Sequence, residues 1–194
     1  PRVLDVLSAV PREAFVPPGY LDLAFADAPL PIGFGQSMLA PKLQGRILQA
    51  LAPGAADSIL EVGSGTGYLS ACLSLLGAST RSIDIHPELA AAAEANVRAA
   101  CTGRVQFEVR DAFDPKPLGA YDVIAVTGSL PVYDPRFERA LRVGGRLFAV
   151  VGTAPVMDAV LIRRVDEDEW TRESLFETVI DPLINAVAAP TFVF

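Results

Sequence analysis

Ser58-Ile59-Leu60-Glu61-Val62-Gly63-Ser64-Gly65-Thr66-Gly67-Tyr68 opens as a short apolar run and ends in three alternating glycines. A run of this length, bounded by glycine and followed by the apolar stretch Tyr68 to Leu76, predicts a strand, a tight loop and a helix. The same alternation repeats downstream. Thr80 to Ile85 reads as a second strand and Pro87 to Ala100 as an alanine-rich helix, with Pro87 at the first helical position, where its missing N–H is not needed. Val105 to Val109 and Asp122 to Thr127 are the next strands. Pro135 to Leu141 is a short helix, Val143-Gly144-Gly145 a turn, and Arg146 to Val151 a fifth strand. Strands separated by helices at this spacing predict an α/β, doubly wound, mostly parallel sheet with right-handed crossovers and both faces covered.

Outward from this core the pattern changes on both sides. Leu43, Ile47, Leu48 and Leu51 share one helical face from Pro41 onward, and the helix stops at Pro53-Gly54. Val3, Leu4, Leu7 and Val10 predict a short amphipathic helix before Pro11. Between Pro11 and Gln36 five prolines and three glycines leave no room for a long helix or a central strand. That stretch is still apolar (Phe15, Tyr20, Leu21, Phe25, Ile32), so it is expected to pack as an ordered cap that forms part of a site. After Gly152, Met157 to Val165 and Trp170 to Val179 read as an antiparallel hairpin joined by the solvated acidic turn Asp166-Glu167-Asp168-Glu169. The expected organisation is a single domain over 1–194. Its parts are an N-terminal helix and cap (1–40), a ligand-binding core (41–152), and a hairpin with tail (153–194).

With 194 residues, 51% of them hydrophobic, and a net charge of −7, the chain can bury a sizeable core. The acidic balance argues against phosphate-driven binding of nucleic acid, since no surplus of lysine and arginine exists to displace counterions. The uncharged stretch Gly63 to Thr80 carries glycine, serine and threonine throughout and does not read as a membrane span. Cys72 and Cys101 lack metal or redox spacing, and no metal site is expected. Two free structural thiols fit a reducing compartment, and the chain, which begins at Pro1, shows no secretory leader. A cytoplasmic protein, monomeric or weakly dimeric and without nucleic-acid or membrane partners, is the expectation.

The chemistry is placed by the ends of three successive strands. The glycine loop follows the first strand, where open α/β sheets bind ligands. Tyr68 stands where a dinucleotide fingerprint needs a small residue, so a nicotinamide cofactor fits poorly. Asp84 closes the second strand and can accept hydrogen bonds from both hydroxyls of a ribose. Asp111 closes the third, within reach of the adenine edge of the same ligand. Glycine loop, ribose acid and adenine acid together describe a site for S-adenosylmethionine.

These residues resemble the class I S-adenosylmethionine-dependent methyltransferases and, within them, the protein-L-isoaspartate O-methyltransferases. Val10-Pro11-Arg12-Glu13-Ala14-Phe15-Val16-Pro17 is similar to the family's VPRExFVP segment, and Asp27 to Ser37 resembles DxPLPIGxGQT/S. Ile59 to Tyr68 resembles VLEIGTGSGY, Ser82-Ile83-Asp84 with Pro87-Glu88-Leu89 resembles SIExxPEL, and Leu141 to Leu147 resembles LxPGGRL. The resemblance runs from Pro1 to about Gly152, and the tail is similar mainly to a bacterial subgroup. It implies a seven-stranded sheet and methyl transfer to the carboxylate of isoaspartyl residues in damaged proteins or peptides. By the same resemblance Gly63, Gly65 and Gly67 line the methionine moiety, Asp84 the ribose, and Asp111 with Ala112 the adenine. Glu61, Ser64, Ile85 and Thr127 complete the cofactor-binding set, and Gln36 and Ser37 sit over the reaction centre with Leu39.

At Leu39 the chain departs from the family. The motif QT/S-I-S-x-P carries an active-site serine, and here Gln36-Ser37-Met38-Leu39-Ala40-Pro41 has leucine at its position. Ser37 is the neighbouring hydroxyl that could replace it. The departure leaves two alternatives open: a methyltransferase with another acceptor, or a cofactor-binding protein with little or no transfer activity. Family members also carry about one more helix before the segment that begins at Pro1, so the chain reads as truncated. His86 is expected to be a loop residue near the adenosine, Cys72 to pack in the helix after the glycine loop, and Trp170, Phe192 and Phe194 to pack the hairpin and tail.

Overall fold

The computed structural model describes residues 2–100 and 103–188. In chain order, α1 (Arg2–Ala9) leads through two 3-10 turns (Arg12–Phe15, Pro18–Leu23) into a hairpin of β1 (Leu30–Gly33) and β2 (Gln36–Met38). Then follow α2 (Pro41–Leu51), β3 (Ser58–Val62), α3 (Tyr68–Ser74), β4 (Ser79–Asp84), α4 (Pro87–Ala99) and β5 (Val105–Val109). The chain continues through β6 (Tyr121–Leu130), α5 (Arg136–Arg139), β7 (Leu141–Thr153), β8 (Val156–Asp166) and β9 (Glu169–Thr178).

The main sheet has seven strands in the order β5-β4-β3-β6-β7-β8-β9. The first five pair in parallel, and β8 and β9 return antiparallel, as expected. Side chains alternate across the strands. Ile59, Val123 and Ala125 face one core with the cap, α1, α2 and α3, whereas Leu60, Val62, Ile124 and Val126 face the other with α5. Chain order reverses between β3 and β6, so the crevice beyond their carboxyl ends is the switch point where a ligand is expected.

Two local expectations are corrected. The Val143-Gly144-Gly145 turn is a bulge inside β7, because pairing with β6 already begins at Tyr121↔Leu141 and resumes at Val123↔Arg146. Gly144 has φ +82°, and at Gly145 a Cβ would lie 2.8 Å from the Arg142 carbonyl oxygen, so the glycines absorb the kink. The acidic turn shortens to Glu167-Asp168, since Asp166 pairs with Glu169. The stretch from Pro11 to Gln36 holds only the two 3-10 turns, β1 and the start of β2, with no long helix and no strand in the main sheet, as expected.

The cap is stapled by one buried cation. Arg12, 2% exposed, donates from Nε to the Ala24 carbonyl at 2.6 Å, from Nη2 to the Leu39 carbonyl at 2.9 Å and from Nη1 to Gln44 Oε1, and lies over the Tyr68 ring. No carboxylate is among these partners, and burial lowers its pKa from the ordinary value. Cys72 is buried and free, its thiol pushed up to about 12 by burial, while Cys101, Phe192 and Phe194 lie outside the described residues. The Trp170 indole N–H donates to the Glu138 carbonyl, tying the hairpin to α5. Among the described residues no helix is long and apolar enough to cross a membrane.

Candidate active site

The β3 loop owes its shape to close packing as much as to any ligand. Gly63 (φ +98°) leaves a Cβ no room, since it would lie 2.4 Å from Thr127 Oγ1 on β6. That hydroxyl donates to the Val62 and Gly63 carbonyls at 2.9 and 2.8 Å, so Thr127 braces the loop across the switch point. At Gly67 (φ +88°) a Cβ would meet the Ala93 carbonyl of α4 at 2.9 Å. Gly65 differs from both, because a Cβ there would touch only Ile32 Cδ1, at 3.4 Å. It keeps open the backbone that a ligand approaches.

Behind this loop lies a buried polar cluster. Glu61 Oε2 accepts from the Ser82 hydroxyl at 2.6 Å and from the Ser70 hydroxyl, and Ser64 Oγ lies 2.7 Å from Ser82 Oγ. Desolvation pushes the Glu61 carboxyl up to about 7, against the two serine hydrogen bonds, and the charge of Asp84 adds to the rise. Glu61 and Ser64 therefore border the cavity with Ser82 already hydrogen-bonded to both of them. Asp84 joins the loop to the second strand end: its Oδ2 accepts from the Gly65 N–H at 3.1 Å and its Oδ1 from the His86 N–H at 3.0 Å. Asp111 is held in the same way, with Oδ1 accepting from the Phe113 N–H and Oδ2 from the Asn185 carboxamide, both at 2.8 Å.

These groups enclose a cavity of about 800 Å³, its open mouth included. Gln36, Ser37, Leu39, Glu61, Gly63, Ser64, Gly65, Asp84, Ile85, Asp111, Ala112 and Thr127 all line it, so residues far apart in sequence converge as expected. Gly67 does not line it; its role is the close approach of α3 to α4. His86 lines the wall with Nε2 buried and unpartnered, and the hairpin tip covers it through Phe34, whose ring centroid stacks 4.4 Å away. The Gly63–Gly65 backbone, two carboxylates at successive strand ends and an unpartnered imidazole nitrogen suit an adenosyl ligand, which brings hydroxyls and an amino group to donate and ring nitrogens to accept.

A second groove adjoins the first. Ser37 and Leu39 line both; Lys42 and Arg46 of α2, Phe176 of β9 and Val179 to Pro182 form the rest of its main walls. The Leu39 side chain is 8% exposed between the two spaces, and no hydroxyl other than that of Ser37 is shared by both walls. Sequence reasoning missed the segment after β9, where Leu183 and Ile184 enter the cavity wall and Asn185 reaches Asp111. Nothing periodic marks that stretch; the left-handed Asn185 (φ +65°) is a local detail that no pattern announces.

Comparison with known proteins agrees with this geometry. A protein-L-isoaspartate O-methyltransferase of Aeropyrum pernix is 35% identical over 189 residues, covering 95% of this chain and 73% of its own. Protein-L-isoaspartate O-methyltransferase 2 of Pelobacter propionicus is 35% identical over 188 residues, covering 96% and 84%. Among solved structures, a Plasmodium falciparum protein assigned as a protein-L-isoaspartate O-methyltransferase, in complex with S-adenosyl-L-homocysteine, superposes with a TM-score of 0.82. It covers 94% of this chain and 89% of its own at 17% identity, a likeness of fold. The family model for protein-L-isoaspartate(D-aspartate) O-methyltransferase matches residues 1–187, from the first helix through the segment that closes the cavity, and the chain belongs to that family.

Proposed function

We propose that the chain transfers a methyl group from S-adenosylmethionine to the free carboxylate of an isoaspartyl residue in a damaged protein or peptide. The observation that carries this reading is the meeting of two cavities at Ser37 and Leu39, one bordered by Gly65, Asp84 and Asp111, the other a groove between α2 and the end of β9. Asp84 accepts from the ribose hydroxyls and Asp111 from the adenine amino group. The cofactor supplies a methyl carbon activated by its sulfonium sulfur. An isoaspartyl carboxylate is ionised at neutral pH, so the site needs no strong base.

What the residues contribute is position. Holding the acceptor oxygen in line with the methyl carbon and the departing sulfur can supply ~7 to 11 kcal/mol of the barrier. Ser37 donates to one carboxylate oxygen, Gln36 spans to the segment beyond β9 through Pro182 and Leu39 keeps water from the reacting line. A buried free thiol at Cys72 fits a reducing compartment such as the cytoplasm.

The reading is tested by calorimetry with S-adenosylhomocysteine together with methyl transfer to an isoaspartyl peptide and to its aspartyl counterpart. Cofactor binding with transfer to the isoaspartyl peptide alone is expected. The leucine at position 39 favours one other reading, a different acceptor; cofactor binding without transfer to either peptide is the result that would select it.

A further inference from the structure

Between the two cavities runs a short strap, residues 180–186, held by Ser129 and latched by two carboxamides. At the centre stands Ser129, fully buried on β6. Its N–H donates to the Asp181 carbonyl at 2.8 Å, its carbonyl accepts from the Leu183 N–H at 3.0 Å and its hydroxyl donates to the Ile180 carbonyl at 3.2 Å. The preceding Gly128 lets the strap lie on the strand, since a Cβ there would meet Leu183 Cδ2 at 2.7 Å. One latch is the Gln36 carboxamide, which donates to the Pro182 carbonyl at 3.3 Å. The other is Asn185, whose Nδ2 donates to Asp111 Oδ2 at 2.8 Å. Residues up to Pro182 line the acceptor groove, and Leu183 and Ile184 line the cofactor cavity.

The strap is thus one wall with two faces. We propose that Asn185 is a positioning residue that clasps the strap over the cofactor cavity through Asp111, and that this shared wall makes cofactor and acceptor bind cooperatively. The proposal rests on the function proposed above. A carboxylate oxygen has room for two donors, so Asp111 Oδ2 can keep the Asn185 carboxamide while it accepts from an adenine amino group. The ligand then reinforces the clasp instead of displacing it. Whichever ligand binds first sets the strap, and the second meets a wall already in place; linkage requires the factor to be the same in both directions.

The experiment measures the affinity and release rate of S-adenosylhomocysteine with and without a saturating isoaspartyl peptide, in the native chain and in Asn185→Ala. The native chain should bind the ligand several-fold more tightly when the peptide is present. Asn185→Ala should release it about 3- to 10-fold faster, as expected for an exposed hydrogen bond to a charged group, and the peptide should no longer alter its affinity. Asn185→Asp sets two carboxylates against each other and should release the ligand faster still, again without a peptide effect. Thermal unfolding of the ligand-free variants serves as the control, and midpoints close to native exclude a merely structural role. A native release rate in Asn185→Ala, or a peptide effect that survives in it, overturns the clasp while leaving the proposed function standing. A native chain that does not bind S-adenosylhomocysteine overturns the function and the clasp with it.

Discussion

The β3-to-β6 half of the sheet and the roof over it are built on different principles. In the half-sheet, β3, β4 and β5 pair one βαβ unit apart and β6 closes on β3 across the switch point, the apolar pattern repeats, and Gly67 sits where loop meets helix. In the roof, single side chains tie distant segments together: Arg12 reaches Ala24, Leu39 and Gln44, Gln36 reaches Pro182, and Asn185 reaches Asp111. The groups proposed to bind the cofactor belong mostly to the first region, those proposed to face the acceptor to the second. A periodic scaffold is robust to single changes, whereas a stapled roof depends on a few hydrogen bonds.

The largest break in this contrast should come from Arg12→Ala. It leaves the Ala24 and Leu39 carbonyls and Gln44 Oε1 without their donor in the interior, at roughly 3 to 5 kcal/mol of stability. Hydrogen exchange should quicken across the cap and at α2 while β3, β4 and β6 stay protected. Uniform loss of protection through the sheet would mean that roof and scaffold form one cooperative unit.

Glu61 puts an equivalent weak point inside the scaffold. Its folded-state pKa of about 7 lies above the ordinary 4.5, so the native state holds this proton more tightly than the unfolded chain. The stabilisation is therefore fully present below about pH 4.5 and lost as pH rises through 7, on the order of 3 kcal/mol over that window. Asp114 and Asp122, shifted downward, act at lower pH and do not oppose it there. Denaturant unfolding from pH 4.5 to 8 should show the decline in the native chain and a nearly flat profile in Glu61→Gln. Parallel profiles would show that the carboxyl does not titrate in this range.

The sequence makes the scaffold legible to within a residue or two at most boundaries, because β3 is apolar apart from Glu61, β5 alternates apolar and polar residues, and α2 and α4 begin at prolines. It overlooked the β7 bulge, because Val143-Gly144-Gly145 has the composition of a turn and only pairing with β6 shows that the strand has already begun. Asp84 and Asp111 were legible as strand-end acids. Asn185 was not, since its role depends on a partner 74 positions away and on a strap laid over Ser129.

A smaller effect is expected at Asp84, where scaffold meets ligand. Asp84→Ala removes the acceptor proposed for the ribose and leaves the Gly65 and His86 N–H groups without their partner. Affinity for S-adenosylhomocysteine should fall by ~1 to 3 kcal/mol. Calorimetry with unchanged affinity would remove Asp84 from the ribose assignment and leave it as a brace of the glycine loop.

Leu39→Ser tests the roof at its most chemical point and carries the smallest expected change. The side chain stands at the junction of the two cavities, 8% exposed, beside Ser37, so a hydroxyl there would face the acceptor. Adding that donor should raise kcat for an isoaspartyl peptide by about 2- to 10-fold, the value of one orienting hydrogen bond. Affinity for S-adenosylhomocysteine should hardly change, because the hydroxyl meets the acceptor in the transition state and not the adenosine. Some stability is lost with the buried leucine, so the rates need to be compared below the onset of unfolding. A serine variant no faster than an active native chain would show that the single donor at Ser37 suffices to orient the carboxylate and that a second adds nothing.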